Sequence, residues 1–205
     1  MKQVCLHCSR QAPLGSLWCL EAACAADDKP ALLEPGTALG EIEVTRMLSV
    51  LPSATLYAAE RRGPAQPERV LLKVAHAGQD ERLKREARLL ARLQARTRHP
   101  ALPWLLPAHS QAGTAHYPYG KSVAGGMPFY YAVFRYLDGE PLSSMLLDNA
   151  QPWYQHAGWL ALALADALAL LHAGGVLHLA LSPPGILVRF DQDGIPRPVL
   201  LDLGV

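Results

Sequence analysis

Four cysteines, Cys5, Cys8, Cys19 and Cys24, stand at the front of the 205-residue chain, and the rest of it has none. They form two close pairs, with two residues inside the first, four inside the second and ten between the pairs. Thiolates so spaced can meet at one tetrahedral zinc, because each pair is a tight turn that points two sulfurs the same way. Two disulfides or free thiols are the alternative, which a reducing compartment disfavours. So short a segment builds no core of its own, and zinc binding would drive its folding. His7 could replace a cysteine, but its place inside the first turn suits it better to supporting the backbone.

The elements that would carry any further chemistry lie downstream. A composition 50% apolar and 18% charged is that of a folded globular chain. Nineteen Lys and Arg against eighteen Asp and Glu leave a formal charge of +1, so any attraction to nucleic acid or an anionic membrane has to be local. The opening MKQVCLHCSR lacks the apolar run and cleavage site of a secretory signal, which predicts a cytoplasmic protein. The apolar AGWLALALADALALL is too short for a bilayer crossing, carries Asp166, and is expected to be a buried core helix.

After the linker DDKPALLEPG, the stretch GEIEVTRML alternates through Ile42, Val44, Met47 and Leu48, only roughly in register. ATLYAAE and RVLLKVA follow as strands around the turn-rich RRGPAQP, which predicts an antiparallel meander. QDERLKREARLLARLQARTR sets Leu83, Ala87, Leu90 and Leu93 on one helical face, with acids early and bases late as the helix dipole favours. Its arginines read as a solvated face, with an acidic partner as the alternative. HPALP stops the helix. SQAGTAHYPYGKSVAGGMP reads as a long mobile hairpin or loop, FYYAVFRYL as an aromatic strand and DGEPL as a turn. A long helix is expected from about Pro152 to His172, ended by Gly174 and Gly175, and then two short strands, GILVRF and RPVLLDL, around DQDG. His172 and His178 read as hydrogen-bonded core residues.

This order of elements, and five motifs within it, resemble a bacterial serine/threonine protein kinase from about Pro35 to Val205. VLLKVA looks like the strand-three lysine motif, which implies that Lys73 is the phosphate-contacting lysine, and RLKREARLLARL looks like the next helix, with Glu86 as its ion-pair partner. YYAVFRYLDGEPL is similar to the hinge strand, with Phe134 as gatekeeper and Arg135, Tyr136 and Leu137 along the adenine edge. LLDLG resembles the metal-binding Asp-Phe-Gly, with Asp202 as ligand and Leu203 in place of Phe. The resemblance implies an α+β fold: a small lobe of antiparallel sheet plus one helix over 40–137, and the beginning of a helical large lobe over 138–205. Residues 1–30 resemble a small zinc ribbon with Cys5, Cys8, Cys19 and Cys24 as ligands, and 31–39 form a linker.

HLALSPPGILV, His178 to Val188, aligns with the kinase catalytic loop but has Ala180, Ser182 and Gly185 where kinases place an aspartate, a lysine and an asparagine. The loop keeps His178, Leu181, Pro183, Ile186 and Leu187, which shape and pack it. The turn LSVLPSATLY has Ser49, Leu51 and Ala54 where a Gly-rich loop would approach phosphates, and Pro52 removes a backbone donor. Leu71 stands where kinases keep a small alanine against adenine.

The expectation is an inactive pseudokinase acting as a binding or scaffold module, with structural zinc and without bound ATP or magnesium. The alternatives are an atypical ATP-using transferase built on Lys73, Glu86 and Asp202, and a zinc-ribbon nucleic-acid module, which the near-neutral charge disfavours. The same three residues could equally serve structure alone. The chain reads as truncated after the Asp-Leu-Gly motif, so its apolar helix is expected to be covered by a protein partner, a second copy or a missing continuation.

Overall fold

The structure is a computed structural model that describes Cys19 and residues 30–63, 66–109, 117–148 and 154–205. Cys5, Cys8 and Cys24 lie outside the described residues, and Cys19 is buried. The chain divides into two compact units, one built from Asp28–Thr97 with Trp104–Leu137, the other including Arg98–Pro103 and Asp138–Val205.

In the first unit, strand β1 (Ala38–Leu39) turns through Gly40, at φ 64°, into β2 (Ile42–Val50), followed by β3 (Ala54–Arg61) and β4 (Glu68–Ala75). Helix α1 (Asp80–Gln94) intervenes before β5 (Leu105–Leu106), β6 (Gly120–Ala124) and β7 (Met127–Arg135). The antiparallel sheet runs β1-β2-β3-β4-β7-β5, with β6 also paired to β7. The expected meander is β2-β3-β4, and the loose alternation of GEIEVTRML corresponds to register shifts on β2 between Val44 and Arg46 and between Met47 and Ser49. Of the stretch read as a hairpin or loop, Gly120–Ala124 forms a hairpin with β7 through Gly125 and Gly126, both at positive φ.

Period-two alternation divides β4 between the two faces of the sheet. Val70, Leu72 and Val74 join Ile42, Val44, Tyr57, Tyr131 and Val133 in one buried layer, which Leu33 completes. The Leu33 N–H donates to the Tyr57 hydroxyl at 3.0 Å, which gives a buried donor its partner. On α1, Leu83, Glu86, Ala87, Leu89 and Leu90 are buried. Asp80 and Glu81 open the helix and Arg92 lies in its last turn, as the dipole favours. It ends at Gln94, ahead of the HPALP stop.

In the second unit, DGEPL is more than a turn. It contains β8 (Glu140–Pro141) and leads directly into a short helix, α2 (Leu142–Asp148), that the sequence pattern did not suggest. Helix α3 (Tyr154–Ala173) follows, then a 3₁₀ turn (Pro183–Gly185), β9 (Ile186–Phe190) and β10 (Pro196–Leu200), the strands pairing in the order β10-β9-β8. Asp191 shapes the β9–β10 turn: one carboxylate oxygen accepts from Asp193 N–H at 3.0 Å and Ile195 N–H at 2.9 Å, and the other pairs with Arg197. The Ile195 N–H, with help from Arg197, holds this carboxyl below its usual range.

Helix α3 is not the buried core helix expected from its composition. Only 17% of His156–Ala173 is buried, and that window is long and apolar enough to cross a bilayer by length and composition. Leu160, Ala167 and Leu171 are buried, whereas Trp159 is 48% and Leu162 69% exposed. An apolar helix packed along one stripe buries that stripe alone, whatever its overall hydropathy. Asp166, on the open side, meets His99 at 3.1 Å. His172 is exposed rather than part of a core, and Leu181 and Pro183 are exposed as well, so they do not pack the loop.

Candidate functional site

Lys73 and Leu71 share the face of β4 opposite the Val70, Leu72 and Val74 layer. Glu86 sits on the buried arc of α1 beside Leu83, Ala87 and Leu90. The two meet: the Lys73 ammonium donates to Glu86 Oε1 at 2.8 Å and Oε2 at 2.7 Å, with side chains 1% and 3% exposed. A charge pair so far from water is held by mutual attraction against a large desolvation cost, so each partner depends on the other.

Around this pair the sheet face is filled with apolar groups. Leu71 is fully buried and directly opposite the buried Phe134 across the β4–β7 ladder. Tyr136, just past β7, accepts a hydrogen bond from Arg69 Nη2 at 2.6 Å, and the guanidinium also lies 3.9 Å from its ring centroid.

The turn between β2 and β3 is drawn inward. Ser49, Leu51 and Ala54 are buried, and Leu51 N–H donates to Ala54 O at 2.8 Å. His76, which the sequence reading did not single out, ties this turn to the end of β4. Its backbone N–H donates to Ser53 O at 3.0 Å, and its Nε2 shares a hydrogen bond with Thr55 Oγ1 at 2.9 Å. Burial pushes the His76 pKa down to about 4 against an opposing bond to the Pro52 backbone, so the ring is neutral at pH 7. Its position directly after a β-strand, in KVAHAG, is the only signal the sequence offers for this role.

In the second unit the catalytic-loop counterpart keeps its frame. His178 Nε2 is 2.6 Å from Asp202 O, and its Nδ1 accepts from Ala180 N–H at 3.3 Å, so the ring bridges the two segments with Nε2 as donor. Asp202 is buried, and its Oδ1 accepts from Gly204 N–H at 3.3 Å. Leu201 N–H donates to Gly185 O at 2.8 Å. A Cβ at Gly185 would lie 3.2 Å from the Asp202 Cβ, tighter than ordinary packing, so an asparagine there would have to displace Asp202 by a few tenths of an ångström. Ala180, Ser182 and Gly185 supply no carboxylate, cation or amide. Leu179, beside them, is 82% exposed.

The site residues therefore fall in two groups. Lys73, Glu86, Leu71 and Phe134 are brought together in the first unit, and His178, Ala180, Ser182, Gly185 and Asp202 in the second. Among the described residues no cluster of three or more His, Cys, Asp or Glu side chains is arranged to hold a metal.

A sheet order with one helix between β4 and β7, a buried Lys–Glu pair and a His-braced loop before an Asp-x-Gly make this a protein kinase-like fold. Solved kinase domains of PknI from Mycobacterium tuberculosis superpose on it: one, a double mutant, at a TM-score of 0.58 with 23% identity, and another at 0.56 with 26%, each covering 85% of this chain and 62% of the other. No protein-family model matches. In sequence the chain is homologous to bacterial serine/threonine-protein kinases. It is 29% identical over 174 residues to PknH of Mycobacterium bovis and equally to PknH of M. tuberculosis, covering 83% of this chain. The chain spans about a quarter of these curated relatives, 25% and 24% of their lengths.

The buried ion pair gives a direct prediction. Glu86→Ala or Lys73→Ala leaves one uncompensated buried charge and should destabilise the chain by about 3–5 kcal/mol, whereas Lys73→Met with Glu86→Leu should come within about 1 kcal/mol of wild type or exceed it. Urea unfolding of the four proteins checks this, and a double variant as unstable as the singles would show that the pair does more than neutralise itself.

Proposed function

We propose that the chain is a catalytically inactive, protein kinase-like binding module of bacterial cytoplasmic signalling. The observation that carries this reading is the catalytic-loop counterpart. Its frame is intact through His178 and Asp202, while Ala180, Ser182 and Gly185 lack the base, the phosphoryl-neutralising cation and the second metal ligand that phosphoryl transfer uses. Loss of a positioned base alone costs about 10²–10⁴ in rate, and the missing cation and ligand add to that. The buried Leu51, in the turn between β2 and β3, and the buried Leu71, on the Lys73 face of β4, support the same reading, since kinases keep a glycine-rich turn and a small residue at these places. Magnesium-nucleotide fits the residues present poorly, because Gly185 can neither ligate a metal nor be given a side chain without moving Asp202.

A second reading, an atypical ATP-using transferase, draws on the formed Lys73–Glu86 pair and on the Asp202 carboxylate held by Gly204. One assay separates the two. Incubation with radiolabelled ATP and magnesium or manganese should give no phosphate transfer to the protein or to generic substrates above a Lys73→Ala control. Transfer that disappears in Lys73→Ala would establish the enzyme reading instead.

Zinc at Cys5, Cys8, Cys19 and Cys24 belongs to the same proposal and rests on the cysteine spacing. Protein purified without chelator should carry about one zinc per chain by atomic emission, lost in Cys5→Ser with Cys24→Ser. Zinc-free protein with titratable thiols would refute that assignment.

A further inference from the structure

The outer face of α1 carries a row of arginines that have no acidic partner among the described residues. Arg85, Arg88 and Arg92 fall within an arc of about 60° on a helix of 3.6 residues per turn. Arg96 continues the row just past Gln94, where the cap residue Ala95 keeps helical angles. All four are exposed. Arg85, Arg92 and Arg96 have no ion-pair partner among the described residues, and Arg88 meets Tyr119, its Nη2 donating to the hydroxyl at 3.2 Å.

A solvated helix commonly interleaves such cations with carboxylates three or four residues away. Here the acids are committed elsewhere. Asp80 and Glu81 both hold Lys84 at 2.8 Å, Glu86 is buried on Lys73, and residues 87–98 contain no Asp or Glu. Arg88 and Arg92, and again Arg92 and Arg96, are like charges four residues apart, a spacing that weakens a helix. In a chain of formal charge +1, this is local charge density that folding itself does not use.

We propose that this row docks an acidic protein segment that presents carboxylates about one helical turn apart, each taken by a guanidinium fork. A protein segment suits it better than nucleic acid. The row is a single file of four cations, and nucleic-acid affinity at physiological salt grows with the number of phosphates neutralised. The proposal rests on the binding-module reading but uses none of the nucleotide-facing residues, so the two fail in different assays.

The test titrates the full chain, without nucleotide, against a fluorescein-labelled peptide with glutamates four residues apart, and separately against a labelled oligothymidylate, reading anisotropy. The peptide should bind at low salt and weaken at about 0.15 M salt. Affinity should fall about tenfold or more in Arg85→Ser with Arg88→Ser and Arg92→Ser. It should fall too in the single reversal Arg92→Glu, and hold in Arg189→Ser, which removes one cation from β9. The triple variant should stay folded with a melting temperature within a few degrees of wild type, since relief of like charges offsets the lower helix propensity of serine and the lost Arg88–Tyr119 bond. Absence of peptide binding, equal binding by the triple variant, or tighter binding of oligothymidylate lost in that variant would each overturn the proposal, the last in favour of a nucleic-acid surface.

Discussion

The first unit is organised around one ammonium and one carboxylate removed from water. Lys73 and Glu86 join β4 to α1 through two hydrogen bonds of 2.8 and 2.7 Å, and neither could stay buried without the other. The pair therefore fixes the rotation of α1. It turns Leu83, Ala87 and Leu90 inward, and in consequence sends Arg85, Arg88 and Arg92 out to solvent. In an active kinase such a pair orients a lysine toward nucleotide phosphates. Here the cross-strand neighbours of Lys73 are the apolar Leu56 and Ala132, and the constraint serves the architecture whether or not any phosphate arrives.

The same division runs through the rest of the candidate site. Groups that hold backbone in place are retained: His178 bridges to Asp202 O, and Asp202 caps Gly204. Groups that would act on a phosphoryl group are replaced by Ala180, Ser182 and Gly185, the last in close contact with Asp202. The turn between β2 and β3 follows suit. A loop of glycines lets a ligand come close to the backbone, whereas this one carries a buried Leu51 and is fastened by His76. The retained groups shape the loop, and the replaced positions supply no carboxylate, cation or amide.

Much of this was legible from the chain alone, because strands announce themselves by alternation and α1 by its apolar spacing. The three strands β2, β3 and β4, the aromatic β7 and the β9–β10 hairpin came from pattern, and Lys73 and Glu86 from motif. Three features escaped for physical reasons. The seven residues of α2 are too few to show a period. Helix α3 is apolar on all sides, so composition could not tell its buried stripe from the exposed Trp159 and Leu162. The burial of Leu51 and the tie made by His76 depend on contacts between separate strands, and His172 shows the converse: apolar neighbours in sequence are not neighbours in space.

The central claim is that this fold keeps a kinase's frame while filling its nucleotide-facing surface with its own side chains. Calorimetric titration of the full chain with magnesium-ATP, alongside Leu51→Gly with Leu71→Ala, tests it most directly. The account predicts no measurable heat from wild type at millimolar nucleotide, and binding that appears once the two leucines are removed. Saturable micromolar binding by the wild-type chain, lost in Lys73→Ala, would contradict it.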